Sequence, residues 1–387
     1  MAAMIHSAAA KIQATGGVRS LAFDAGTALQ LSNGEALSPL TIAFESYGAL
    51  NAERSNAVLV CHGLAGDQFV ASPNPVTGRP AWWPRIVGPG RPIDTNRFYV
   101  VCANVLGGAM GTTGPTSLAS DGSPYSLRFP PVNVADMVRA QAMLIEALEI
   151  ESLFLVIGPG FGGMQALQWA SAYPRRVFAC CSVASAARQP APAMALAELS
   201  RQAIMADPDW CGGGYLAQAT RPAKGLAVAR TAGLIGNLSE PDLRNAFGAA
   251  AAQERFALAA HADIGAPHGG AIAERFDANS FLYISRAADA FDLAGDFGGN
   301  LSNAFSRAAT RHCVFSFSSD WRYPPQEGRG LARALLAGGA EAAFLEIDSD
   351  KGHDAHLEEN SQFEAALTGF VDAAATARGL SLQGGVN

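Results

Sequence analysis

The chain has 387 residues, 49% of them hydrophobic and 16% charged, with a formal net charge of −7 at pH 7. This composition predicts one large globular domain with an insertion and excludes a disordered chain, while three lysines in the whole sequence exclude a basic surface for nucleic acid. No apolar run approaches the roughly 18 residues that span a bilayer, and the first residues do not match a signal peptide, so we expect a cytoplasmic protein and no membrane partner.

Seven short runs rich in β-branched and aromatic residues predict β-strands. Helical patterns lie between several of them, and continuous apolar strands that alternate with helices are typical of a mostly parallel sheet with helices on both faces. We therefore expect an α/β fold. In chain order, the predicted strands are Thr41–Ser46, Ala57–Cys61, Phe98–Ala103, Leu153–Ile157, Val177–Val183, His312–Phe317 and Ala342–Ile347.

The clearest helical pattern, Asn133–Leu148, follows the third predicted strand. Asn133 is a favourable N-cap residue, Asp136 lies in the first turn, and apolar side chains recur on one face. This segment is predicted to cover one face of the sheet.

The fourth predicted strand leads into the sequence LVIGPGFGGMQALQWA, residues 155–170, which predicts a strand, a sharp turn and a helix. The layout resembles the G-x-S-x-G turn, or nucleophile elbow, of α/β-hydrolases. Here the turn reads Gly158-Pro159-Gly160-Phe161-Gly162, so Gly160 occupies the nucleophile position.

Strand patterns are absent between about Ala186 and Leu301, where Ala-rich helical segments such as Met194–Ala206 and Ala273–Phe291 dominate. A helical block inserted between strands of one sheet predicts a lid over the carboxyl edge, where open α/β sheets bind ligands. We therefore predict an α/β-hydrolase core at residues 20–185 and 302–375 and a helical lid at 186–301. A loose N-terminal tail is expected before the core.

Two loops after late strands carry an acid and a histidine. Asp320 follows His312–Phe317, and His353 follows Ala342–Ile347. The order nucleophile, acid, histidine is that of the α/β-hydrolase triad, in which the carboxylate orients an imidazole that moves protons. The alternative interpretation is that Asp320 caps a turn and His353 is an ordinary loop histidine.

The backbone supplies a candidate oxyanion hole. The sequence CHGLAGD follows Ala57–Cys61, so the N–H of Leu64 is predicted to face the N–H of Phe161, the residue after the elbow position. Gly-rich turns also follow strands in proteins without catalytic activity, so the pattern alone is not specific.

Metal and thiol chemistry have weaker support. His353 and His356 form an H-x-x-H pattern with Asp354 between them, but no third ligand is evident, so we expect no metal. Cys180 and Cys181 lie in an apolar strand pattern and are predicted to be core residues rather than reactive thiols.

From about Leu40 to Leu367 the chain resembles the homoserine O-acetyltransferase family of the α/β-hydrolase superfamily. The resemblance implies transfer of an acetyl or other acyl group from coenzyme A, by way of an ester on the elbow serine, to a small amino-acid hydroxyl. It implies acyl-CoA as co-substrate, no permanently bound cofactor, and a homodimer. The matching stretches are FESYG, CHGLAGD, WWPRIVGPGRPIDT, NVLGGAMGTTGPTS, GGMQALQWA, RQAIMADPDW, ERFDANSFLYISRA, SSDWRYPP and GHDAHLEE.

Carried over by position, the resemblance assigns both substrate-binding and catalytic residues. Arg230 matches the arginine that receives the substrate carboxylate, and Asp354 matches the carboxylate that faces the substrate amino group. Without the resemblance, Arg230 would be interpreted as a solvated ion-pair partner. The catalytic positions are Asp320 and His353 for the acid and base, and Leu64 and Phe161 for the oxyanion donors.

The chain departs from the family pattern at two of these positions. Asn237 stands where the family usually places a tyrosine that contacts the substrate, and Gly160 replaces the serine. The elbow residue commonly has φ > 0, which costs a non-glycine residue about 1–3 kcal/mol and glycine nothing. The substitution therefore preserves the turn and removes the attacking oxygen.

Four hypotheses fit a retained fold without its nucleophile. In the first, the protein is an enzyme that uses His353 and Asp320 as a noncovalent general base, as a hydrolase, lyase or cyclase of a specialised pathway. In the second, it is a catalytically dead binding homologue. In the third, it is an acyltransferase in which Gly160 was introduced in place of a natural serine, and in the fourth, its nucleophile has moved to a nearby residue. The sequence leaves all four open.

Overall fold

The structure, a computed structural model, describes residues 10–15, 17–24, 26–248, 277–307 and 309–380. In these residues nine strands form one sheet. They are β1 (Ala10–Thr15), β2 (Val18–Phe23), β3 (Thr41–Tyr47), β4 (Ala57–Cys61), β5 (Tyr99–Ala103), β6 (Leu153–Pro159), β7 (Val177–Val183), β8 (Arg311–Phe317) and β9 (Glu341–Ile347). Two two-residue ribbons pair Leu29–Gln30 with Ala36–Leu37 and Val87–Gly88 with Ile93–Asp94.

The strand order is β1-β2-β3-β5-β4-β6-β7-β8-β9. The six strands from β5 to β9 in this order pair in parallel, whereas β1, β2 and β3 are antiparallel additions at one edge. This arrangement confirms the predicted α/β fold with a mostly parallel sheet. All seven predicted strands are present, with boundaries that differ by no more than two residues.

The sequence interpretation missed β1 and β2. Residues 10–15 pair with β2, so the segment is an edge strand, and its description as a loose tail was wrong. The sheet begins at Ala10, before the predicted core boundary at residue 20. The β1 sequence AKIQAT alternates apolar and polar residues, but it lacks the run of β-branched and aromatic residues by which the other strands were predicted, and nearly every side chain in it is exposed.

Helices cover both faces of the sheet. The helices of this core are α1 (Val134–Ala147), α2 (Phe161–Ala172), α7 (Pro325–Ala337) and α8 (Ser361–Arg378). Apolar side chains of α1, α2 and α7 pack into one core cluster, and those of α8 pack into the cluster on the opposite face.

The start of α1 is as predicted. The Asn133 side chain accepts a hydrogen bond from the Asp136 N–H, and the Asp136 carboxylate accepts one from the Asn133 N–H, which completes a capping box. The helix ends at Ala147 with Leu148 as its C-cap, and the Leu148 side chain packs against the same core cluster as the apolar face of the helix.

The segment predicted as a lid is helical where it is described. No strand is found in residues 186–248 or 277–301, where only one isolated bridge joins Arg188 to Asp292. The predicted helix Ala273–Phe291 is present as α6, and its first four residues, 273–276, lie outside the described residues. The four helices are α3 (Ala191–Ala206), α4 (Ala223–Asn237), α5 (Glu240–Gly248) and α6 (Ala278–Asp289). Among the described residues, no helix has the length and apolarity of a membrane span.

Candidate active site

The elbow forms the junction between β6 and α2. Gly160 has φ 53° and ψ −117°, a conformation that side-chain-bearing residues adopt only with strain. The flanking glycines permit close packing, since a Cβ at Gly158 or Gly162 would lie 2.5 Å or 2.0 Å from the carbonyl oxygen of Cys61. Glycine is therefore favoured at all three positions of the predicted turn, at Gly160 by the backbone conformation and at Gly158 and Gly162 by close packing.

His353 and Asp320 are hydrogen-bonded to each other at the carboxyl edge of the sheet. The Nδ1 of His353 lies 2.8 Å from Oδ2 of Asp320, and both residues are buried. The other carboxylate oxygen of Asp320 accepts hydrogen bonds from the backbone N–H groups of Arg322 and Tyr323, each at 2.9 Å. Because the carboxylate can only accept, Nδ1 carries the proton, and Nε2 of the neutral imidazole is left as the basic nitrogen.

The basic nitrogen faces the elbow. A Cβ placed on Gly160 would lie 2.9 Å from Nε2 of His353 and 3.2 Å from its Cε1. No described residue hydrogen-bonds Nε2. The structure therefore brings Gly160, His353 and Asp320 together in the order that the sequence predicts, and any side chain at position 160 would contact the imidazole directly.

The loop after β4 is fixed by His62. Its Nδ1 donates to the carbonyl oxygen of Gly63 at 2.8 Å, and its Nε2 accepts from the N–H of Val105 at 3.1 Å. In the described residues, no acceptor is found for the N–H of Leu64, and the N–H of Phe161, as the first residue of α2, has no intrahelical acceptor. Both predicted oxyanion donors are thus available to a ligand.

Helix α6 of the lid lies near this loop. A cavity of about 30 Å³, large enough for a water molecule, is lined by residues of the loop, of the segment after β5, and of α6. Its α6 side chains include Ser280, whose buried hydroxyl has no hydrogen-bond partner among the described residues. The predicted lid therefore borders the candidate oxyanion site directly.

The other predicted substrate residues lie where α4 meets the His353 loop. The Asn237 amide donates to Oδ1 of Asp354 at 2.9 Å and accepts from Nη1 of Arg322 at 2.8 Å. Burial raises the pKa of Asp354, although the nearby His353 and Arg322 act to lower it. Asn237 therefore holds the Asp354 carboxyl group beside His353 and connects it to the Asp320 loop.

Arg230 lies two turns before Asn237, on the same face of α4. Its Nε and Nη2 are buried and have no hydrogen-bond partner among the described residues. A buried guanidinium N–H without an acceptor is costly, by about 1–3 kcal/mol or more. The structure thus disagrees with the alternative that Arg230 is a solvated ion-pair partner, and it leaves these donors available for an anionic group.

Gly352 allows the His353 loop to approach α4. It has φ 62°, and a Cβ on it would lie 2.4 Å from the carbonyl oxygen of Asn237. Gly298 provides a matched control, because its φ is 68° and a Cβ there would meet no described atom within 4 Å. We expect Gly352→Ala to lower the free energy of unfolding by about 1–3 kcal/mol more than Gly298→Ala, measured by urea denaturation. Equal losses would show that only the backbone conformation matters.

Three residues at the site were not singled out from the sequence. Arg322 and Tyr323 hold Asp320, and the Tyr323 ring lies 5.1 Å from the His353 ring between centroids, with its hydroxyl donating to Gln189 at 2.8 Å. Ser185 donates to the carbonyl oxygen of Gly160 at 2.6 Å. The position of Arg322 and Tyr323 immediately after Asp320 was the available signal, whereas Ser185 is distant in sequence and had none.

The residues weighed for metal and thiol chemistry have structural contacts. His356 donates from Nδ1 to the carbonyl oxygen of His353 at 2.8 Å, and its own carbonyl oxygen accepts from Trp83. In the described ranges no three His, Cys, Asp or Glu residues are placed to share a metal ion. Cys180 and Cys181 are fully buried, and burial raises the pKa of both thiols, as expected for core residues.

Comparison with known proteins agrees with this fold. A family model described as the alpha/beta hydrolase fold matches residues 56–360. A homoserine O-acetyltransferase of Caulobacter vibrioides is 52% identical over 365 residues, covering 92% of this chain and 96% of that protein, and one of Mesorhizobium japonicum is 51% identical, covering 93% and 95%. The crystal structure of homoserine O-acetyltransferase from Bacillus anthracis has a TM-score of 0.82 at 27% identity, covering 94% and 98%. That of esterase E22 has a TM-score of 0.79 at 28% identity, covering 93% and 100%.

Proposed function

The chain belongs to the homoserine O-acetyltransferase family, within the α/β-hydrolase fold, and from this premise we propose that it transfers an acyl group from acyl-CoA to the hydroxyl of homoserine or a closely related small amino acid. The observation that carries the proposal is the guanidinium of Arg230, whose buried Nε and Nη2 have no hydrogen-bond partner in the described part of the chain, on the same helix face as Asn237, which holds Asp354. An anion-binding guanidinium and a carboxyl group beside a histidine base match the charges of an amino-acid zwitterion that carries a hydroxyl group.

Each group in the site has a chemical role in this reaction. The Nε2 of His353 accepts the proton of the substrate hydroxyl, and Asp320 stabilises the imidazolium that forms. The N–H groups of Leu64 and Phe161 donate to the oxyanion of the tetrahedral intermediate. The guanidinium of Arg230 binds the carboxylate of the amino acid, and Asp354 binds its ammonium group.

Replacing Arg230 tests the carboxylate site. Charge-assisted hydrogen bonds contribute about 1.5–3 kcal/mol, so Arg230→Met is expected to raise the KM for homoserine by about 10- to 100-fold. The fold should be retained, because this guanidinium makes few protein contacts that the substitution would lose. Steady-state kinetics with acetyl-CoA and homoserine measures the effect, with Arg244→Met as control, since Arg244 is an exposed residue paired with Glu240 on α5. A KM unchanged in both variants contradicts this role for Arg230.

Hydrolysis is the second candidate function. Gly160 removes the side-chain oxygen but leaves the histidine base and the oxyanion donors, which are sufficient to activate water. The similarity to esterase E22 is in keeping with this alternative. Hydrolysis predicts release of coenzyme A from acetyl-CoA without homoserine, whereas acyl transfer predicts release that depends on homoserine. A catalytically dead binding homologue predicts no release in either assay.

The wider setting is proposed on the same family basis. Acyl-CoA acts as a co-substrate rather than a resident cofactor, and the reaction serves amino-acid biosynthesis in the cytoplasm. The lid also supports a homodimer, because large apolar side chains on α3 and α4 are exposed, a feature common at interaction surfaces. They are Met194, Leu199, Met205 and Val228.

Sedimentation tests the homodimer. At micromolar concentration we expect a species of twice the chain mass, and Leu199→Glu should convert it to a monomer by placing a charge in the apolar contact. A stable monomer in the unmodified protein would contradict the assignment.

A further inference from the structure

We propose that this protein transfers the acyl group in a single displacement, in which the acceptor hydroxyl attacks the thioester directly and no acyl-enzyme forms. The inference rests on the proposed function and specifies its route. It follows from two observations. Position 160 in the elbow has no nucleophilic side chain, yet His353 and Asp320 keep the arrangement of a catalytic base and its acid.

No alternative nucleophile occupies the place of the serine oxygen among the described residues. Gly160 offers only backbone, and the hydroxyl groups of Ser185, which contacts Gly160, and of Tyr323, whose ring lies against His353, are already engaged. Ser185 donates to the Gly160 carbonyl oxygen, and Tyr323 donates to Gln189. Burial also raises the pKa of Tyr323, which disfavours its phenolate. The three nearest described atoms to a Cβ at position 160 are Nε2 and Cε1 of His353 and the carbonyl oxygen of Ala184, so no hydroxyl or thiol stands where the serine oxygen would be.

The histidine base, in contrast, is already held in position by hydrogen bonds. The Nδ1 of His353 is held by Asp320 at 2.8 Å, and Asp320 is itself held by two backbone N–H groups. The Nε2 nitrogen lies against the elbow with no hydrogen-bond partner among the described residues. Because position 160 has no side chain, a hydroxyl of the acceptor is free to reach Nε2 in the direction that a serine oxygen would otherwise block.

The step balances without an added reactant. The acceptor oxygen gives its proton to Nε2 of His353 and forms a bond to the thioester carbon, whose oxygen becomes an oxyanion held by the N–H groups of Leu64 and Phe161. The carbon–sulfur bond then breaks, and the sulfur leaves with the proton from Nε2. The products are an O-acyl amino acid and free coenzyme A, and His353 returns to its neutral form. Both substrates must therefore be bound together.

The route is tested by kinetics and isotope exchange with acetyl-CoA and L-homoserine. A single displacement predicts intersecting initial-velocity lines, no exchange of label between acetyl-CoA and free coenzyme A in the absence of homoserine, and an unchanged intact mass after incubation with acetyl-CoA. Gly160→Ser is expected to gain both the exchange and one acetyl group per chain, because it restores an oxygen beside the base. Gly160→Ala is the matched control, since it adds the same Cβ and backbone strain without an oxygen, and it should gain neither.

The outcomes separate the route from the function. O-acetylhomoserine formation with parallel lines, label exchange or an acetyl adduct in the unmodified protein overturns the single displacement and leaves the proposed function standing. Two results overturn both the route and the proposed function. One is release of coenzyme A with water as the only acceptor of the acetyl group. The other is no turnover in the unmodified protein while Gly160→Ser forms O-acetylhomoserine.

Discussion

Replacing His353 with asparagine is expected to reduce acyl transfer by about 10²- to 10⁴-fold, the usual contribution of a positioned general base. The basic nitrogen of His353 faces the elbow, and a Cβ at Gly160 would lie only 2.9 Å from it. Asparagine cannot accept a proton at this position. The loss should appear in kcat at saturating acetyl-CoA and homoserine, because the carboxylate site that we propose, Arg230, is separate from the base.

Two further variants distinguish a chemical role from a structural one. Asp320→Asn should also lower kcat, because an amide no longer stabilises the imidazolium. His353→Gly should be partly restored by added imidazole, which replaces the base but would not repair a misfolded loop. Failure of both His353 variants to lower activity would exclude the histidine as the base and would also contradict the proposed route.

Acidification is expected to destabilise the protein through His312, the second residue of β8. The imidazole is buried, its Nε2 has no hydrogen-bond partner in the described structure, and it packs edge-on against Phe305 at 5.3 Å between ring centroids. Burial lowers the pKa of His312 from 6.5 to about 4. The cause is desolvation, which disfavours the charged form.

The sign of the effect follows from proton binding. Between pH 6.5 and about pH 4 the unfolded chain protonates this histidine and the folded protein does not, so acid favours unfolding. The contribution of the neutral imidazole is fully present above pH 6.5. Because each pH unit corresponds to about 1.4 kcal/mol, roughly 3 kcal/mol is lost by pH 4.

The variant His312→Leu isolates this effect. Leucine does not titrate and leaves no polar atom unpaired, so the free energy of unfolding should depend less on pH. Its advantage over the unmodified protein should grow as the pH falls from 7 to 4. Urea denaturation at several pH values measures both proteins. Parallel pH profiles would show that His312 is hydrated or paired in solution.

The core of this fold follows from local sequence patterns. The strands β4 and β7 have the boundaries predicted for them, because buried parallel strands are continuous apolar runs with clear ends. The Asn133 cap was also predictable, since a capping box involves residues only three apart. By contrast, β1 was missed because this exposed edge strand is stabilised by backbone pairing and lacks a run of β-branched and aromatic residues.

The amino-acid sequence by itself determined the family to which the chain belongs, and it predicted the candidate site residues, which are the glycine at position 160 and the late Asp320 and His353. Only the tertiary structure decided how they meet, that His353 turns its free nitrogen toward the elbow and that Asn237 holds Asp354. The physical reason is that these contacts join residues far apart in the chain, so their distances depend on how strands and helices pack rather than on any local preference.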